Sequence, residues 1–468
     1  MKLASKRYLW ALPIIALLFG AAQAEVTIDY YDGIAFLDMS TDGTVMAGNT
    51  PAYEACIWTE AGGVVPLGMS TTAVFGTGSG SPDISDDGVW VSATILGADS
   101  TYTTAGVWSE ATGWIEAMPP MPPGGDPMSG YQYGSAWGLS GDGSTLTGLF
   151  WYPGQPGGGA HALSWTQAGG AVDIGVDGST SRANAANYDG SVIVGWDTAP
   201  FGYWRPTVWE NGVRTILTDT EAFCNAYGVS ADGLTVYGVS LDTSIMTRVA
   251  AIWRKEGGVW KEELLGALPG TSPDQGQAYL SAATADGRMA VGYSSLYFGE
   301  STGIIWTRDT GLVDVEDFLE DNGVTLDPWF DFQSLTCVSA DGSIMAGVGQ
   351  EMVFPFPAKG FIIHTGFTTD VPSVASRVEV ERNYPNPFNP ATSIPVVLAE
   401  GGHARLEVFD AAGRRIKVLH DGELPSGRHE FRWDGMDARG VAAPSGVYLA
   451  RVSDRAGSVA SRSMTLVK

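Results

Sequence analysis

Positively charged residues are scarce in this sequence, most of all in its longest part. The chain has 26 lysines and arginines against 52 aspartates and glutamates, with only 5 histidines. Residues 25–376 hold 10 of the basic residues and 41 of the acidic ones, a net charge of −31. A surface with this charge repels nucleic acids and anionic membranes. Both are therefore excluded as partners.

Cysteine is also rare, and its copies form no recognisable site. Cys56, Cys224 and Cys337 lie far apart, each within a stretch that reads as a strand. No Cys-x-x-Cys pair and no Cys/His spacing typical of zinc occurs. A disulfide between such distant positions would need Cα atoms within about 7 Å. The sequence predicts buried free thiols and no structural zinc.

Long apolar runs are absent beyond the N-terminus. Lys2, Lys6 and Arg7 precede an apolar core at residues 8–19, and residues 22–24 read Ala-Gln-Ala, a small-x-small cleavage pattern. This arrangement is typical of a secretory signal peptide, and the core is shorter than the roughly 20 residues of a membrane span. Residues 1–24 are therefore predicted to be a signal peptide, with an uncleaved anchor as the alternative. No transmembrane helix is expected after its removal.

The chain is rich in a repeated Asp-Gly pair. Seven copies occur at intervals of 43 to 55 residues, and two of them read Ser-Ala-Asp-Gly in full. The pairs are Asp42-Gly43, Asp87-Gly88, Asp142-Gly143, Asp189-Gly190, Asp232-Gly233, Asp286-Gly287 and Asp341-Gly342. A repeat of this period is typical of a propeller or a solenoid.

Each copy shares further features around the pair. A small hydroxyl or amide residue stands two positions before the Asp, and a glycine stands six positions after it in every copy but the second, which has Ala93. Apolar runs flank the pair, and glycine accepts the positive φ that a type I′ turn requires. The pattern predicts a tight hairpin with a type I′ turn in every repeat.

A third strand ends in tryptophan in six repeats and in His364 in the seventh. The tryptophans are Trp58, Trp108, Trp165, Trp209, Trp253 and Trp306, and they are expected to lie in the core. A glycine turn and a fourth strand follow in all repeats except the last. Four antiparallel strands in each of seven units predict an all-β fold, a seven-bladed β-propeller over residues 25–366. Residues 26–30 are expected to supply the missing strand and close the ring.

The repeat resembles a known family. Ser-Ala-Asp-Gly, the apolar strand to glycine, Ile305-Trp306-Thr307 and Gly62-Gly63-Val64-Val65 look like the HAF repeats of bacterial extracellular proteins. The resemblance covers roughly residues 33–366. It implies export and a β-rich repeat fold, and it implies no catalytic residues.

The last part of the chain has a different pattern. Residues 367–380 lack periodicity and are predicted to be a linker. Residues 381–468 contain six short strand-like runs separated by turn signals, which favours an immunoglobulin-like β-sandwich. A helix is predicted at residues 315–323, with Val315, Phe318 and Leu319 on one face and Gly323 after its end.

Residues 381–468 also resemble a known family. The run Tyr-Pro-Asn-Pro-Phe-Asn-Pro-Ala-Thr at 384–392, Trp433-Asp434-Gly435 and Ser-Gly-Val-Tyr-Leu-Ala-Arg-Val at 445–452 look like the immunoglobulin-like domain of flagellar hook-cap proteins. The same pattern is similar to the C-terminal sorting domain of type IX secretion. The resemblance implies contact with secretion machinery, transit across the outer membrane, and release or attachment at the cell surface.

No motif points clearly to catalysis. Gly299-Glu300-Ser301-Thr302-Gly303 matches Gly-x-Ser-x-Gly, but it leads into a strand instead of the strand–turn–helix that a nucleophile needs. Paired carboxylates would suit a glycosidase, yet no pair stands out among so many acids. Asp83, Asp86 and Asp87 cluster without the spacing of an EF-hand, so calcium is kept only as an alternative to no cofactor.

The candidate binding residues lie in the loops between second and third strands. These loops share one face of a meandering blade, opposite the Asp-Gly turns, and aromatic residues there offer flat stacking area. The ligand-binding candidates are Trp151, Tyr152, Trp196, Tyr203, Trp204, Tyr297 and Phe298. The alternative is that these rings only pack the loops onto the blades.

The sequence therefore predicts an exported binding or scaffold protein, secreted or at the cell surface, with a glycan or a surface protein as ligand. Two alternatives remain open. One is a glycan-cleaving propeller enzyme, either a hydrolase or a lyase. The other is a purely structural envelope protein.

Overall fold

The structure is a computed structural model. It describes residues 25–68, 80–97, 103–117, 134–151, 160–198, 202–220, 222–268, 277–295, 301–366, 378–380, 383–398, 401–410, 414–454 and 459–468. Seven four-stranded antiparallel sheets follow one another along residues 27–364 and correspond to the seven predicted blades. The predicted signal peptide and most of the predicted linker lie outside the described residues.

The first four blades follow an N-terminal strand, β1 (Thr27–Asp32). Blade 1 comprises β2 (Ala35–Met39), β3 (Val45–Asn49), β4 (Ala55–Thr59) and β5 (Gly63–Pro66). Blade 2 comprises β6 (Asp83–Ile84), β7 (Val91–Leu96), β8 (Thr103–Ser109) and β9 (Gly113–Ala117). Blade 3 comprises β10 (Gly134–Leu139), β11 (Thr145–Trp151), β12 (Ala160–Thr166) and β13 (Gly170–Asp173). Blade 4 comprises β14 (Ser181–Ala186), β15 (Val192–Thr198), β16 (Trp204–Glu210) and β17 (Val213–Ile216).

The remaining blades repeat this order. Blade 5 comprises β18 (Asn225–Val229), β19 (Thr235–Asp242), β20 (Thr247–Glu256) and β21 (Val259–Gly266). Blade 6 comprises β22 (Gln277–Ala283), β23 (Met289–Ser295), β24 (Ser301–Thr307) and β25 (Gly311–Asp314). Blade 7 comprises β26 (Phe330–Val338), β27 (Ile344–Glu351) and β28 (Ala358–His364), completed by β1.

The ring closes as predicted. Strand β1 pairs antiparallel with β28 over its whole length, from Thr27 opposite His364 to Asp32 opposite Lys359. The Tyr30 ring packs edge-on against Phe330, with centroids 4.7 Å apart. The pairing covers a strand edge of blade 7 that would otherwise be open to other chains.

The predicted helix is also present. Helix α1 (Val315–Asp321) connects blade 6 to blade 7, and Val315 and Leu319 are buried. The side chain of Asp314 accepts a hydrogen bond from the N–H of Glu316 at the N-terminus, and Gly323 follows the C-terminus with a φ of +82°. Within the described residues, no helix has the length and apolar character that a membrane span needs.

The Asp-Gly hairpins are confirmed, but the predicted turn type is wrong. In all seven copies the glycine N–H donates to the carbonyl of the residue three positions earlier, as Gly43 does to Ser40, and the glycine φ lies between +62° and +75°. No Asp of a pair has a positive φ, so type I′ is excluded. The glycine stands at the fourth turn position, which fits a type I turn followed by a left-handed residue.

Side chains explain why the motif reads Ser-x-Asp-Gly. The Asp carboxylate accepts the N–H two positions later, as Asp42 does from Thr44 at 3.0 Å. The Ser hydroxyl donates to the same Asp and accepts the N–H of Val45 at the start of the next strand. Burial would raise the pKa of Asp42, but these hydrogen bonds outweigh burial and lower it. The motif is therefore a structural turn.

The glycine six positions after each Asp has a steric cause. In six blades the innermost strand has a bulge opposite this glycine. A Cβ on Gly148 would lie 2.0 Å from the carbonyl oxygen of Ser135, and the equivalent glycines meet the same obstacle. Blade 2 has Ala93 at this position, and its innermost strand is two residues long without a recorded bulge. Glycine is thus found at this position in the blades with a bulge, and alanine in the blade without one.

The blades are joined by a relay of backbone hydrogen bonds around the axis. In five blades the residue before the Asp donates its N–H to the next blade, as in Thr41 N–H to Asp86 C=O at 3.1 Å and Asp86 N–H to Gly141 C=O at 2.8 Å, and in blade 3 Asp142 itself donates to Tyr188. The series returns to blade 1 through Ala340 N–H and Thr41 C=O at 2.9 Å. These bonds hold the turn side of the ring at a fixed circumference.

The predicted core residues are confirmed. Five of the six repeated tryptophans are buried and Trp108 is partly buried, while His364 is exposed at the place of the seventh. Cys56, Cys224 and Cys337 are free and buried.

The C-terminal part is an immunoglobulin-like sandwich of two sheets. Its strands are β29 (Val378–Val380), β30 (Thr392–Leu398), β31 (Gly402–Asp410), β32 (Arg415–Leu424), β33 (Gly427–Trp433), β34 (Gly446–Asp454) and β35 (Val459–Leu466). One sheet has the order β29-β30-β33 and the other β32-β31-β34-β35. Strand β29 occupies the last three residues of the predicted linker, and Val380 is buried in the sandwich core.

Substitution of Gly148 by alanine tests the bulge rule. The added Cβ has to displace the Ser135 carbonyl, so the free energy of unfolding should fall by about 1–3 kcal/mol or more. Denaturant unfolding measures the change. The control Ala93→Gly should cost only about 1–2 kcal/mol, from the loss of one buried methyl group and the added backbone entropy, because no atom is forced into another. Equal destabilisation by the two variants would contradict the steric explanation.

Candidate functional site

The predicted binding residues have different surroundings. Trp151 stands at the end of β11 and is 40% exposed. Tyr203 and Trp204 are partly buried, whereas Trp196 is only 5% exposed, so the expectation of an exposed ring is wrong for Trp196. Tyr152, Tyr297 and Phe298 lie outside the described residues.

Trp196 is buried because other side chains flank it on blade 4. The Trp204 ring stacks on it, with centroids 4.6 Å apart and planes 13° apart. Phe223, which is 46% exposed, meets both Trp204 and Tyr203 edge-on with centroids 5.3 Å apart. Arg182, opposite Trp196 in the strand pairing, has its guanidinium carbon 5.7 Å from the ring. The Trp196 ring thus supports its neighbours.

Arg182 lies close to two tryptophans. Its guanidinium carbon is 3.6 Å from the ring centroid of Trp137 in blade 3, in addition to the contact with Trp196. Its Nε–H donates to Asn184 Oδ1 at 2.6 Å. Asn184 is fixed in turn, since its amide donates to Asn225 Oδ1 and to the Ala226 carbonyl of blade 5, both at 2.7 Å. Burial lowers the pKa of Arg182 to about 10, so the group stays charged at neutral pH.

A second guanidinium lies among tyrosines in blades 5 and 6. Arg248 donates to the Phe223 carbonyl at 3.2 Å and to Gln277 Oε1, and its guanidinium carbon is 5.6 Å from the Tyr279 ring. Tyr279 stacks on Tyr293 with centroids 4.6 Å apart. Burial raises the pKa of Tyr279 to about 12, so its hydroxyl remains a donor at neutral pH, here to Gln277 at 2.5 Å.

These contacts form one connected group, which we call the Arg-aromatic cluster. Blade 5 links its two halves, since Asn184 donates to Asn225 and to the Ala226 carbonyl, and the ring of the adjacent Tyr227 lies 6.4 Å from that of Tyr279. The cluster consists of Trp137, Arg182, Trp196, Tyr203, Trp204, Phe223, Tyr227, Arg248, Gln277, Tyr279 and Tyr293. It spans blades 3 to 6 on the side of the second-to-third-strand loops, where their innermost strands surround the axis.

The sequence reasoning found Trp196, Tyr203 and Trp204 but missed the rest of the cluster. The missed Trp137 and Tyr227 occupy the same place in the repeat, five residues before the Asp, where the innermost strand bulges. A comparison of the repeats at this position alone would have singled them out. Arg182 and Tyr279 stand seven residues before the Asp, in the same strands of blades 4 and 6.

Asp83, one of the acidic residues singled out in the sequence, belongs to an inter-blade connection. Asp38 accepts the N–H of Ile84, and Asp83 accepts the N–H of Leu139, both at 2.9 Å. Burial raises the pKa of both carboxyls, and the charge of Asp38 raises the pKa of Asp83 further. Each carboxylate thus connects its blade to the backbone of the next blade.

The proposed calcium ligands do not come together as a metal site. Asp87 bonds to Ser85 within its own turn. In the described part of the chain, no group of three or more histidine, cysteine, aspartate or glutamate side chains could hold a metal ion. Ser301 begins strand β24, so the Gly-x-Ser-x-Gly match does not lie in a strand–turn–helix.

A family model supports the C-terminal assignment. The model described as the FlgD Ig-like domain matches residues 391–458, within the sandwich. No curated relative matches the sequence significantly. Neither the HAF resemblance of the repeats nor type IX sorting is shown by these comparisons.

Solved structures with propellers are similar at low identity. A prolyl endopeptidase analysed for inter-domain dynamics is 13% identical, with 80% of this chain and 56% of that chain covered and a TM-score of 0.48. The β-propeller domain of the Trilobed protease from Pyrococcus furiosus is 11% identical, with 73% and 98% covered and a TM-score of 0.43. TolB from Acinetobacter baumannii is 13% identical, with 63% and 65% covered and a TM-score of 0.34. The chain thus spans less than two thirds of the endopeptidase and of TolB, and the likeness concerns the fold alone.

The raised pKa of Asp86 predicts a stability change with pH. Burial, followed by the charge of Asp38, raises the pKa of Asp86 to about 6, against about 3.9 in an unfolded chain. Between about pH 4 and pH 6 the folded state keeps a proton that the unfolded state loses, so stability falls as pH rises. Asp86→Asn should reduce this fall by about 2–3 kcal/mol in denaturant unfolding between pH 4 and pH 7.

Exposed Asp309 provides the control, because Asp309→Asn removes the same charge without burial. This variant should keep the wild-type dependence on pH. If both variants follow the wild-type curve, Asp86 does not titrate in this window and the expectation is wrong.

Proposed function

We propose that this protein is an exported binding protein whose propeller holds a glycan at the Arg-aromatic cluster. The observation that carries the proposal is the convergence of aromatic rings, two guanidinium groups and an amide at one mouth of the ring. The opposite mouth consists of tight turns joined by backbone hydrogen bonds. A site with flat apolar walls and a few fixed polar groups is typical of ligand recognition.

The chemistry of the cluster suits a sugar. Phe223 of the cluster, and Trp151 outside it at the loop end of β11, are accessible enough to contact the apolar faces of a pyranose. The donors of Arg248 and Tyr279 suit hydroxyl groups. Most of these donors are already oriented by a neighbour in the protein, so little conformational entropy is lost when a ligand binds. A protein ligand at this site is the alternative outcome of the test.

Export is the second part of the proposal. The signal-peptide pattern of residues 1–24 directs the chain out of the cytoplasm, and the immunoglobulin-like domain serves as an address for secretion machinery, leading to the cell surface or the medium. In the proline-rich motif of this domain, Phe388 is buried against Trp433, with ring centroids 5.4 Å apart, whereas Tyr384 is 81% exposed. The motif thus presents a ring that a receptor can bind while its other ring holds the fold.

Alanine substitutions at Phe223 and Trp151 test the binding site. Each ring is largely free of the core, so stability should change little, while affinity for a glycan identified on a glycan array should fall by about 1–3 kcal/mol per ring. Calorimetric titration measures affinity and thermal melting measures stability. Exposed Trp329 of blade 7 lies outside the cluster, and Trp329→Ala should bind as wild type. Unchanged affinity in both Phe223→Ala and Trp151→Ala would reject the site.

Truncation after Gly366, which removes the whole sandwich including β29, tests the export role. The shortened protein should keep a folded propeller but accumulate in the periplasm of its native host, because the address is lost. Cell fractionation locates the protein, and protease resistance reports on the fold. Normal surface delivery of the truncated chain would overturn this part of the proposal without affecting the binding site.

A further inference from the structure

We infer that the ligand is an acidic polysaccharide whose carboxylates bind Arg182 and Arg248. This inference rests on the proposed function and specifies its ligand. The propeller contains ten lysines and arginines, and eight of them have a carboxylate oxygen within 3.8 Å. Those eight are Arg205, Arg214, Arg254, Lys255, Lys261, Arg288, Arg308 and Lys359.

The other two are Arg182 and Arg248, and both belong to the Arg-aromatic cluster. Among the described residues, no carboxylate lies within ion-pairing distance of either one, although this part of the chain has 41 acidic residues. The described neighbours of the two guanidinium groups are instead neutral rings, those of Trp137 and Trp196 for Arg182 and that of Tyr279 for Arg248.

Arg182 is oriented for a planar anion. Its guanidinium carbon lies 3.6 Å from the Trp137 ring centroid and 5.7 Å from that of Trp196, and its Nε–H is already bonded to Asn184. The remaining donors are the two Nη groups, which form the fork that binds a carboxylate through two parallel hydrogen bonds. The aromatic contacts fix the plane of this fork before a ligand arrives, so binding does not have to order the side chain.

Burial of the Arg182 guanidinium favours the binding of an anion. The group has lost part of its hydration, as its lowered pKa of about 10 reflects, and its contacts are to neutral groups. Arg248 resembles it, because its bonds go to a carbonyl and an amide oxygen. A carboxylate on the ligand would compensate both charges in a partly dry site, where ion pairs are stronger than in water.

The net charge of the propeller further restricts the class of acidic ligand that can bind. A densely charged polyanion would be repelled by the 31 excess negative charges of residues 25–376. At physiological ionic strength the Debye length is about 8 Å, so a carboxylate in contact with Arg182 interacts mainly with its immediate surroundings. The geometry therefore favours a glycan in which single uronates are separated by neutral sugars, over heparin-like chains or acidic peptides.

The test uses an oligosaccharide with one glucuronate per four sugars, and the same compound after its carboxylates have been reduced to alcohols. The full chain should bind the acidic form at least about 10-fold more tightly than the reduced form in calorimetric titration. Arg182→Gln should lose about 10- to 100-fold in affinity for the acidic form and little for the reduced form. Arg182→Lys should be intermediate, because it keeps the charge without the fork.

Arg308→Gln is the matched control, since Arg308 is exposed and paired with Glu263. It should bind both oligosaccharides as wild type. If Arg182→Gln does not fold, as circular dichroism would reveal, the comparison of the two oligosaccharides on the wild-type protein decides.

Equal binding of the acidic and reduced forms would overturn this inference and leave the proposed glycan site standing. Tighter binding of heparin or polyglutamate than of the glucuronate compound would overturn the ligand class. Failure to bind any glycan, neutral or acidic, on an array would reject the proposed function itself.

Discussion

The structure depends on the requirement that seven innermost strands meet around one axis. These strands are closely packed there. Six of them have a bulge opposite the glycine of the second strand in the same blade. The bulge leaves no room for a Cβ on the opposing residue. The turn that follows then aligns the N–H and C=O groups that connect neighbouring blades. The Asp-Gly turn and the later glycine thus both allow the blades to pack closely at the axis.

The fold could be predicted from the sequence because each blade repeats the same local sequence pattern. Blade number, blade order, the closing strand and helix α1 all follow from spacing, turn residues and apolar runs. The turn type was wrong because Asp-Gly occurs in more than one turn, and the hydrogen bond that selects between them depends on the preceding Ser. The bulge was not expected either, although the glycine that accommodates it was noticed.

The binding site was recovered only in part, for a related reason. Trp196 was predicted to be exposed because it lies near a loop, but its burial depends on Arg182 and Trp204, which reach it from other strands. That no carboxylate of the described residues pairs with Arg182 is a property of the folded structure, and composition gives no sign of it. Local patterns determine where a blade lies, whereas the site arises from positions where the blades differ. Trp137, Asn184 and Tyr227 illustrate this, since they share one repeat position and no side-chain chemistry.

The seventh blade also has a consequence for the order of folding. Its outermost strand, β1, is synthesised first, and its partner, β28, is synthesised more than 300 residues later. Blades 1 to 6 can form as the chain emerges, because each consists of consecutive strands. Blade 7 cannot, so the ring stays open until the last propeller strand has left the ribosome. Contacts of such long sequence separation slow folding, and the N-terminal strand has to remain unpaired in the meantime. The strand that closes the mature ring is therefore the part of the propeller that waits longest for its partner.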